Sequence, residues 1–303
     1  MAKKVLITGG LGFIFSHVTQ YFVQKGWEVV VIDKQSSGCH PEIIDGTFKN
    51  YKLDVCRPEV FDVIAKENPD YLIHAAAISD VDDSTRKPLR VHEKNIVGNA
   101  NLFEAARLLP NLQKFLYVST DEVYGECEHR MKETDMLHPK NPYSSSKAAG
   151  SLMHIAYENT FPNLRGKIVE SRFCNVFGPR QDDRKVIPAI KRAVEGGTAL
   201  GVHNEGKGYR EYIYVKNIPS AVEIMLENGE GVYNLTLNDG FTVVDLVDRI
   251  EKVTGKEVPT TPSHRPGMDM RYQMDGTRIQ NELGWQAEYT FDQGLEEYFG
   301  TKQ

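Results

Sequence analysis

Short runs of apolar residues alternate with longer amphipathic stretches along the first half of the chain. The apolar runs predict β-strands at 4–8, 28–32, 51–53, 71–74 and 114–119, and helical spacing of apolar positions predicts helices at 13–24, 58–67 and 91–108. Continuous β-branched runs such as 29–32 are typical of strands covered on both faces of a parallel sheet. The pattern therefore predicts a doubly wound α/β fold with right-handed crossovers.

The second half of the chain has a less regular pattern. Helical spacing recurs at 186–195, 218–226, 243–253 and 291–299, whereas the polar, glycine-rich stretch 195–208 predicts no regular element. No repeat or clear linker separates the two halves. We therefore expect a second, smaller lobe that is interleaved with the first.

Composition narrows the class of protein. The 303 residues are 40% hydrophobic and 26% charged, as in ordinary globular proteins, and the net charge of −6 argues against a nucleic-acid-binding surface. Cys39, Cys56, Cys127 and Cys174 form no CxxC pair, so we expect reduced thiols, no metal site and a cytoplasmic location. No apolar run approaches the ~18 residues that a membrane span needs, so we expect no membrane partner.

A glycine-rich turn links the first predicted strand to the first predicted helix. Gly9, Gly10 and Gly12 lie between Thr8 and Phe13. Glycines let the backbone turn tightly and approach a pyrophosphate, whose charge is stabilised at the N-terminus of the helix. The turn therefore predicts a dinucleotide site.

Acidic residues at the ends of the next two strands refine this prediction. Asp33 lies about 20 residues beyond the turn, where a carboxylate accepts hydrogen bonds from ribose hydroxyls and repels a 2′-phosphate, which favours NAD over NADP. Asp54 either accepts a hydrogen bond from the adenine amino group or caps the helix that starts near Pro58. Phe15 stands where such turns usually have a third glycine. We expect its ring to point away from the sheet or to require local repacking, and to weaken cofactor binding.

Polar residues follow the strand that ends near Val118. Ser119, Thr120, Asp121 and Glu122 lie at its carboxyl end, where ligands bind in doubly wound sheets. Further along the chain, Tyr143 and Lys147 are four residues apart and therefore share one face of a predicted helix. We expect the ammonium group, with the positive nicotinamide of the cofactor nearby, to lower the pKa of the phenol toward neutrality, which would create a general base for a sugar or alcohol hydroxyl.

Six segments of the chain together resemble a known family. They are 8–14, 74–77, 119–125, 143–147, 175–179 and 265–267, and they span nearly the whole chain. On these segments the chain is similar to the extended short-chain dehydrogenases/reductases and, among them, to the nucleotide-sugar 4,6-dehydratases, those of dTDP-glucose above all. The adjacent acids Asp121 and Glu122 are the sharpest part of the resemblance, because related epimerases usually have small hydroxyl residues there.

The resemblance implies a Rossmann-type fold with an NAD-binding domain at 1–174, to which 214–237 returns, and a nucleotide-sugar-binding lobe at 175–303. It also implies residues that contact NAD: Gly9, Gly12, Phe13, Ile14, Asp33, Lys34, Asp54, Val55, Ala75, Ala76, Tyr143 and Lys147. Helices 91–108 and 144–157 correspond to those of a four-helix homodimer interface in the family, although ordinary core packing would explain their apolar residues equally well.

The implied reaction makes a 4-keto-6-deoxy sugar. Tyr143 takes the C4 hydroxyl proton while hydride passes from C4 to NAD, and Thr120 hydrogen-bonds that hydroxyl. Glu122 then removes the C5 proton, which the new ketone has acidified, while protonated Asp121 donates to the departing C6 hydroxyl. Hydride returns to C6, so NAD ends each cycle unchanged and is expected to stay bound.

The resemblance also implies residues that bind the substrate: Ser79, Asp82, Ser84, Asn95, Asn175, Lys185, His203, Arg210, Arg265 and Arg271. The four cations suit a diphosphate, and the first four residues of this set suit a hexose but equally suit capping or core hydrogen bonds. His203 replaces an aromatic residue that packs near the base in the family, so dTDP, UDP, CDP and GDP all stay open. The alternatives are 4-epimerisation or 5,6-dehydration of a UDP-sugar, or a non-catalytic nucleotide sensor.

Overall fold

The structure is a computed structural model that describes residues 2–263 and 269–301. The strands in these residues are β1 (Lys4–Thr8), β2 (Glu28–Asp33), β3 (Lys49–Lys52), β4 (Tyr71–His74), β5 (Lys114–Thr120), β6 (Ile168–Phe173), β7 (Asn175–Phe177), β8 (Leu200–His203), β9 (Tyr209–Tyr214), β10 (Gly231–Leu235), β11 (Gly240–Thr242) and β12 (Thr260–Ser263). The helices are α1 (Phe13–Gln24), α2 (Glu59–Glu67), α3 (Val81–Arg86), α4 (Pro88–Leu108), α5 (Pro142–Thr160), α6 (Val186–Val194), α7 (Ile218–Asn228), α8 (Val243–Thr254), α9 (Thr277–Leu283) and α10 (Phe291–Phe299).

A seven-stranded parallel sheet forms the centre of the molecule. Its strand order is β10-β6-β5-β4-β1-β2-β3, and every neighbouring pair is parallel. Alternate residues of β1 face opposite sides, so Val5 and Ile7 join one buried apolar cluster and Leu6 joins the other. The predicted doubly wound α/β fold, with a sheet covered on both faces, is confirmed.

The remaining strands form two small sheets. One has the order β11-β9-β7, and the other pairs β12 with β8. The segment 214–237 contributes α7 and β10, and β10 pairs with β6 at the edge of the large sheet. Both small sheets come from residues after 174, so the chain crosses between the large sheet and the small ones more than once.

Several elements differ from the sequence-based prediction. The third strand covers Lys49–Lys52 rather than 51–53, and β8 lies within the stretch 195–208, for which no element was predicted. Strand β6 was missed because Glu170 and Arg172 interrupt its apolar pattern, although both are buried as an ion pair with 2.7 Å between Nε and Oε1. Short strands that are fixed by backbone pairing or by buried charges carry little hydrophobic periodicity.

The described residues contain neither a candidate membrane span nor a cluster of metal-binding side chains. No helix among them has the length and apolar character required to cross a bilayer. No cluster of three His, Cys, Asp or Glu side chains there is arranged to hold a metal ion. All four cysteines are free thiols.

Candidate active site

The glycine turn after β1 is tightly packed against the end of β4. Gly9 has φ of +73°, and a Cβ at this position would lie 2.8 Å from the backbone nitrogen of Ala76. Only glycine therefore combines this backbone conformation with this close approach. Ala75 and Ala76, which were predicted to contact the cofactor, lie directly beside the turn.

Helix α1 begins immediately after Gly12, which is its N-cap and offers no side chain to the helix terminus. The first N–H groups of a helix, here those of Phe13, Ile14 and Phe15, have no acceptor within the helix. A backbone of this kind, with the positive end of the helix dipole behind it, suits a phosphate.

Asp33 ends β2 beside the turn and is 7% exposed. Its carboxylate accepts hydrogen bonds from the backbone nitrogens of Leu11, at 3.1 Å, and Gln35, at 2.7 Å. These two bonds fix the carboxylate at the predicted ribose position.

Asp54 lies among cations rather than at a helix cap. Its Oδ2 is 2.8 Å from Lys94 Nζ and 3.3 Å from Lys34 Nζ, and its Oδ1 accepts a bond from the Cys56 backbone nitrogen at 3.0 Å. Although burial opposes it, the Lys94 hydrogen bond holds the Asp54 pKa well below its usual range. Pro58, not Asp54, is the N-cap of α2, so the capping alternative is wrong. Val55, the next predicted cofactor contact, is buried, and its side chain faces Gly98 of α4.

Phe15 is accommodated by repacking, which is one of the two expected outcomes. Its side chain is 4% exposed and joins the apolar cluster on the α1 face of the sheet. The ring stacks on that of Phe173 with 6.4 Å between centroids and 11° between planes. The ring therefore points into the core.

The catalytic candidates at the end of β5 are hydrogen-bonded to one another; Thr120 and Asp121 are buried, and Glu122 is half-buried. The Thr120 hydroxyl donates to Asp121 Oδ1 at 3.0 Å, and a short 3₁₀ turn, Asp121–Tyr124, follows. Burial, and secondly the charge of Glu122, raise the pKa of Asp121 to about 7. Asp121 is thus a carboxyl group that still holds a proton near neutral pH.

Glu122 has a different environment from Asp121. Burial raises its pKa, but the Asn141 amide donates to Glu122 Oε2 at 2.8 Å, and Arg210 and Lys185 also favour the ionised form. Asn141 is the N-cap of α5 and forms a capping box with Ser144. Sequence reasoning missed Asn141, although an Asn before Pro142 at a helix start is a recognisable capping signal.

Tyr143 and Lys147 occupy the buried face of α5, as predicted, and are 9% and 3% exposed. The groups of the chain itself shift the Tyr143 pKa upward, which is opposite to the expected lowering. Burial, together with the Glu122 and Asp121 carboxylates, raises the Tyr143 pKa well above its ordinary value, opposed by a hydrogen bond with Thr120. Burial lowers the pKa of Lys147 to about 8, and its ammonium lies 4.9 Å from the centroid of the Tyr117 ring.

The predicted hexose residues divide into two kinds. Ser84 donates to the Val81 carbonyl within α3, and Asn95 makes hydrogen bonds to both backbone groups of Ile78. These bonds agree with the alternative in which both residues make capping or core hydrogen bonds. Those of Asn95 also hold the loop after β4. Ser79 and Asp82 are instead exposed on that loop and on α3.

The second-lobe candidates are more exposed. The Arg210 guanidinium lies 4.4 Å from the Tyr272 ring centroid and donates to the Asp269 carbonyl at 2.7 Å, and Arg271 lies 4.4 Å from the Tyr209 ring centroid. Lys185 is exposed at the start of α6, and Asn175 Nδ2 donates to the Glu211 carbonyl at 3.3 Å. His203 ends β8 with its Nδ1 atom buried and without a hydrogen-bond partner among the described residues. Arg265 lies outside the described residues.

The sequence matches the model of one protein family. The NAD dependent epimerase/dehydratase family matches residues 5–236, which is more than half of the chain. The chain belongs to this family. NAD is its cofactor, and the closely packed Gly9 turn and the fixed carboxylate of Asp33 fit that dinucleotide.

One relative matches nearly the whole chain but is about twice as long. A trifunctional UDP-glucose 4,6-dehydratase/UDP-4-keto-6-deoxy-D-glucose 3,5-epimerase/UDP-4-keto-L-rhamnose-reductase of Arabidopsis thaliana is 32% identical over 97% of the chain and 46% of its own length. The chain thus spans about half the length of this relative.

Two solved structures are similar over nearly their full length. UDP-glucose 4-epimerase from Thermotoga maritima, with UDP-glucose, has a TM-score of 0.91 at 28% identity and covers 98% of both chains. dTDP-glucose 4,6-dehydratase from Bacillus anthracis, in complex with NAD, has a TM-score of 0.90 at 28% identity and covers 99% of this chain and 96% of its own. The fold similarity therefore does not discriminate between dehydration and epimerisation.

Proposed function

We propose that the chain dehydrates an NDP-hexose, dTDP-glucose or UDP-glucose, to the corresponding NDP-4-keto-6-deoxyhexose. The observation that carries this proposal is the pair of adjacent carboxyl groups at the end of β5, of which Asp121 is buried and Glu122 is half-buried. Asp121 has a pKa of about 7, and Glu122 faces the Arg210 and Lys185 charges that favour its ionised form. Elimination of water needs a base that removes the proton from one carbon and an acid that protonates the hydroxyl group on the neighbouring carbon. This pair supplies both.

Oxidation at C4 needs a base for the hydroxyl proton. Tyr143 is that base in the proposal, and the Thr120 hydroxyl, which interacts with the phenol, orients the C4 hydroxyl. A protonated Asp121 removes one of the two negative charges that raise the Tyr143 pKa. NAD, when bound, would supply the hydride acceptor at C4 and the hydride donor at C6, and its positive ring would favour the phenolate. Lys147 adds a positive charge on the same face of α5.

Elimination follows once C4 is a ketone, because the ketone acidifies the C5 proton. Glu122 accepts that proton, and Asp121 donates its own proton to the C6 hydroxyl, which leaves as water. The hydrogen bond from Asn141 holds Glu122 in place, and the bond from Thr120 holds Asp121. When hydride returns to C6, Glu122 gives its proton back to C5. The C4 hydroxyl proton taken by Tyr143 equals the one that Asp121 lost with the water, so the protons balance over the cycle.

Epimerisation at C4 is the second candidate, since a UDP-glucose 4-epimerase is among the most similar structures. That reaction returns hydride to C4 and expels no hydroxyl group, so it offers no leaving group to accept the Asp121 proton. The buried acid therefore favours dehydration over epimerisation, whereas 5,6-dehydration would still use it.

The proposed substrate is a nucleotide diphosphate sugar, because exposed cations of the second lobe suit a diphosphate. The guanidinium groups of Arg210 and Arg271 each lie over a tyrosine ring, which fixes the plane in which their N–H groups can bind a phosphate. His203, with its buried Nδ1, is proposed to line the base, and both thymine and uracil fit this proposal.

We further propose a cytoplasmic homodimer. Helices α4 and α5 pack together and expose large apolar side chains, among them Leu89 at 70%, Val97 at 43%, Leu152 at 62% and Ile155 at 56%. A second copy of the same two helices would cover them in a four-helix bundle. Leu152→Glu should then convert the dimer to a monomer in light scattering, whereas Met136→Glu, at an 84% exposed loop residue, should not.

A panel of NDP-glucoses tests the reaction. The purified chain is incubated with NAD and dTDP-, UDP-, CDP- or GDP-glucose, and products are identified by mass. Loss of 18 mass units with appearance of the 4-keto chromophore in alkali is expected for the dTDP or UDP sugar. A product of unchanged mass would indicate epimerisation and would overturn the proposal.

A further inference from the structure

Phe15 occupies the position where phosphate-binding turns of this kind usually have a third glycine. Phe15 is in the first turn of α1, three residues after the N-cap Gly12. Its backbone N–H is one of the helix-end donors that suit the pyrophosphate. Its side chain, which a glycine would lack, extends from the same backbone into the core.

The Phe15 ring meets the strand that neighbours the catalytic strand. Its partner Phe173 is the last residue of β6 and is also 4% exposed. In the sheet, Phe173 lies opposite Thr120, the last residue of β5 and the first of the catalytic candidates. The Phe15–Phe173 stack therefore connects the phosphate-binding turn to the carboxyl ends of β5 and β6.

The geometry of the stack places the Phe15 ring in the core. The two rings are nearly parallel, at 11°, and both are buried in the apolar cluster on the α1 side of the sheet. A glycine here would remove all of the ring's contacts and leave a void in a core that is otherwise close-packed. The ring thus packs the first turn of α1 against the core.

We propose that Phe15 is a positioning residue, whose stack on Phe173 fixes the first turn of α1 relative to the catalytic strand end and so holds NAD in place. This inference rests on the proposed function, in which NAD must stay bound between removal of hydride from C4 and its return to C6. It reverses the expectation that a bulky residue here weakens cofactor binding.

Matched substitutions at the two ends of α1 test the proposal. Phe15→Leu keeps an apolar side chain but removes the nearly parallel ring pair. Phe22→Leu also keeps an apolar side chain but removes a fully buried ring that packs on Trp27, tilted at 41° with 4.5 Å between centroids. Phe22 lies in the last turn of α1 and takes no part in the site. NAD binding is measured by calorimetry on cofactor-free protein without sugar, and unfolding is measured by circular dichroism.

Phe15→Leu should raise the NAD Kd by about tenfold, the upper end of what one aromatic pair contributes. Phe22→Leu should lower the melting temperature but leave the NAD Kd unchanged. An unchanged or tighter Kd in Phe15→Leu, or an equal loss in Phe22→Leu, would overturn the proposal. If Phe15→Leu does not fold, Phe15→Tyr, which keeps the stack, must bind NAD as the wild type does, and weaker binding would again refute it.

Turnover adds a readout that separates this inference from the proposed reaction. With an NDP-glucose that the wild type dehydrates, Phe15→Leu should release NADH into solution during turnover, followed by fluorescence, while the KM for the sugar stays constant. If the wild type dehydrates no sugar, the proposed function fails, but the difference in NAD Kd between the two variants still decides the role of Phe15.

Discussion

The acid pair at the end of β5 and the arginines of the second lobe acquire their chemical character in opposite ways. Asp121 is 5% exposed and gets its raised pKa of about 7 from burial and from the neighbouring Glu122. Arg271 is exposed, and its guanidinium lies over the face of the Tyr209 ring. The chemical character of Asp121 is set by neighbouring groups of the chain, whereas the charge of Arg271 stays accessible to a ligand.

This difference assigns separate tasks to the two regions. Buried groups with shifted pKa values affect the chemical step, because moving a proton costs free energy that depends on the surroundings. Exposed cations gain mainly from an incoming anion, so they affect binding. Substitutions in the first region should therefore lower kcat, and substitutions in the second should raise KM.

The largest effect is expected for Tyr143→Phe. It removes the hydroxyl that accepts the C4 proton, so kcat should fall by roughly 10³-fold or more, within the range for loss of a general base. NDP-sugar affinity, measured by calorimetry, should change little because the ring remains. NADH formation in a single turnover, followed at 340 nm, should disappear; its persistence would show that another group removes the proton.

Much of this region was predictable from sequence because its signals are local. The Gly9 turn, Asp33 and the Tyr143/Lys147 spacing each follow from the backbone demands of one strand end or one helix turn. The glycine conformation and the strand-end positions then bring them to one edge of the sheet.

What could not be predicted depends on groups distant in sequence. The rise of the Tyr143 pKa comes from burial and from Glu122 and Asp121, about 20 residues earlier, and no local spacing reports it. Likewise, no local pattern reports the two hydrogen bonds between the Asn95 side chain and the Ile78 backbone, 17 residues away. In each case the outcome depends on tertiary packing, which a motif does not encode.

Asp121→Asn is expected to have the second-largest effect. The amide fits the same space but has no acidic proton for the C6 hydroxyl, so kcat should fall by about 10²- to 10³-fold. C4 oxidation should survive, so NADH should accumulate in the burst phase of a stopped-flow trace. Glu133→Gln is the control, since Glu133 is a partly buried carboxyl group whose pKa burial also raises but which accepts a bond from the Asn234 backbone instead. Absence of accumulated NADH would contradict the acid role.

The pH dependence of kcat gives a smaller effect with a definite sign. Asp121 acts as an acid, so the active form is protonated and kcat should fall as pH rises through its pKa of about 7, by about fifty-fold between pH 7 and pH 9. Asp121→Asn should lose this dependence in the same range. A profile that rises over this interval in the wild type and is flat in Asp121→Asn would identify an ionised Asp121 as the active form.

The smallest effect belongs to the second lobe, where Arg271→Ala should raise KM by about tenfold, the value of one charge-assisted contact, while kcat stays nearly constant. The matched control is Arg278→Ala. Arg278 also lies over a tyrosine ring, 4.8 Å from the Tyr233 centroid, but it donates to Glu282 and to the Val232 carbonyl. Because those donors already have partners, its loss should leave KM unchanged. Equal KM values for the two variants would mean that the second lobe does not bind the diphosphate through Arg271, and a fall in kcat for Arg271→Ala would mean that binding and chemistry are not divided between the two regions.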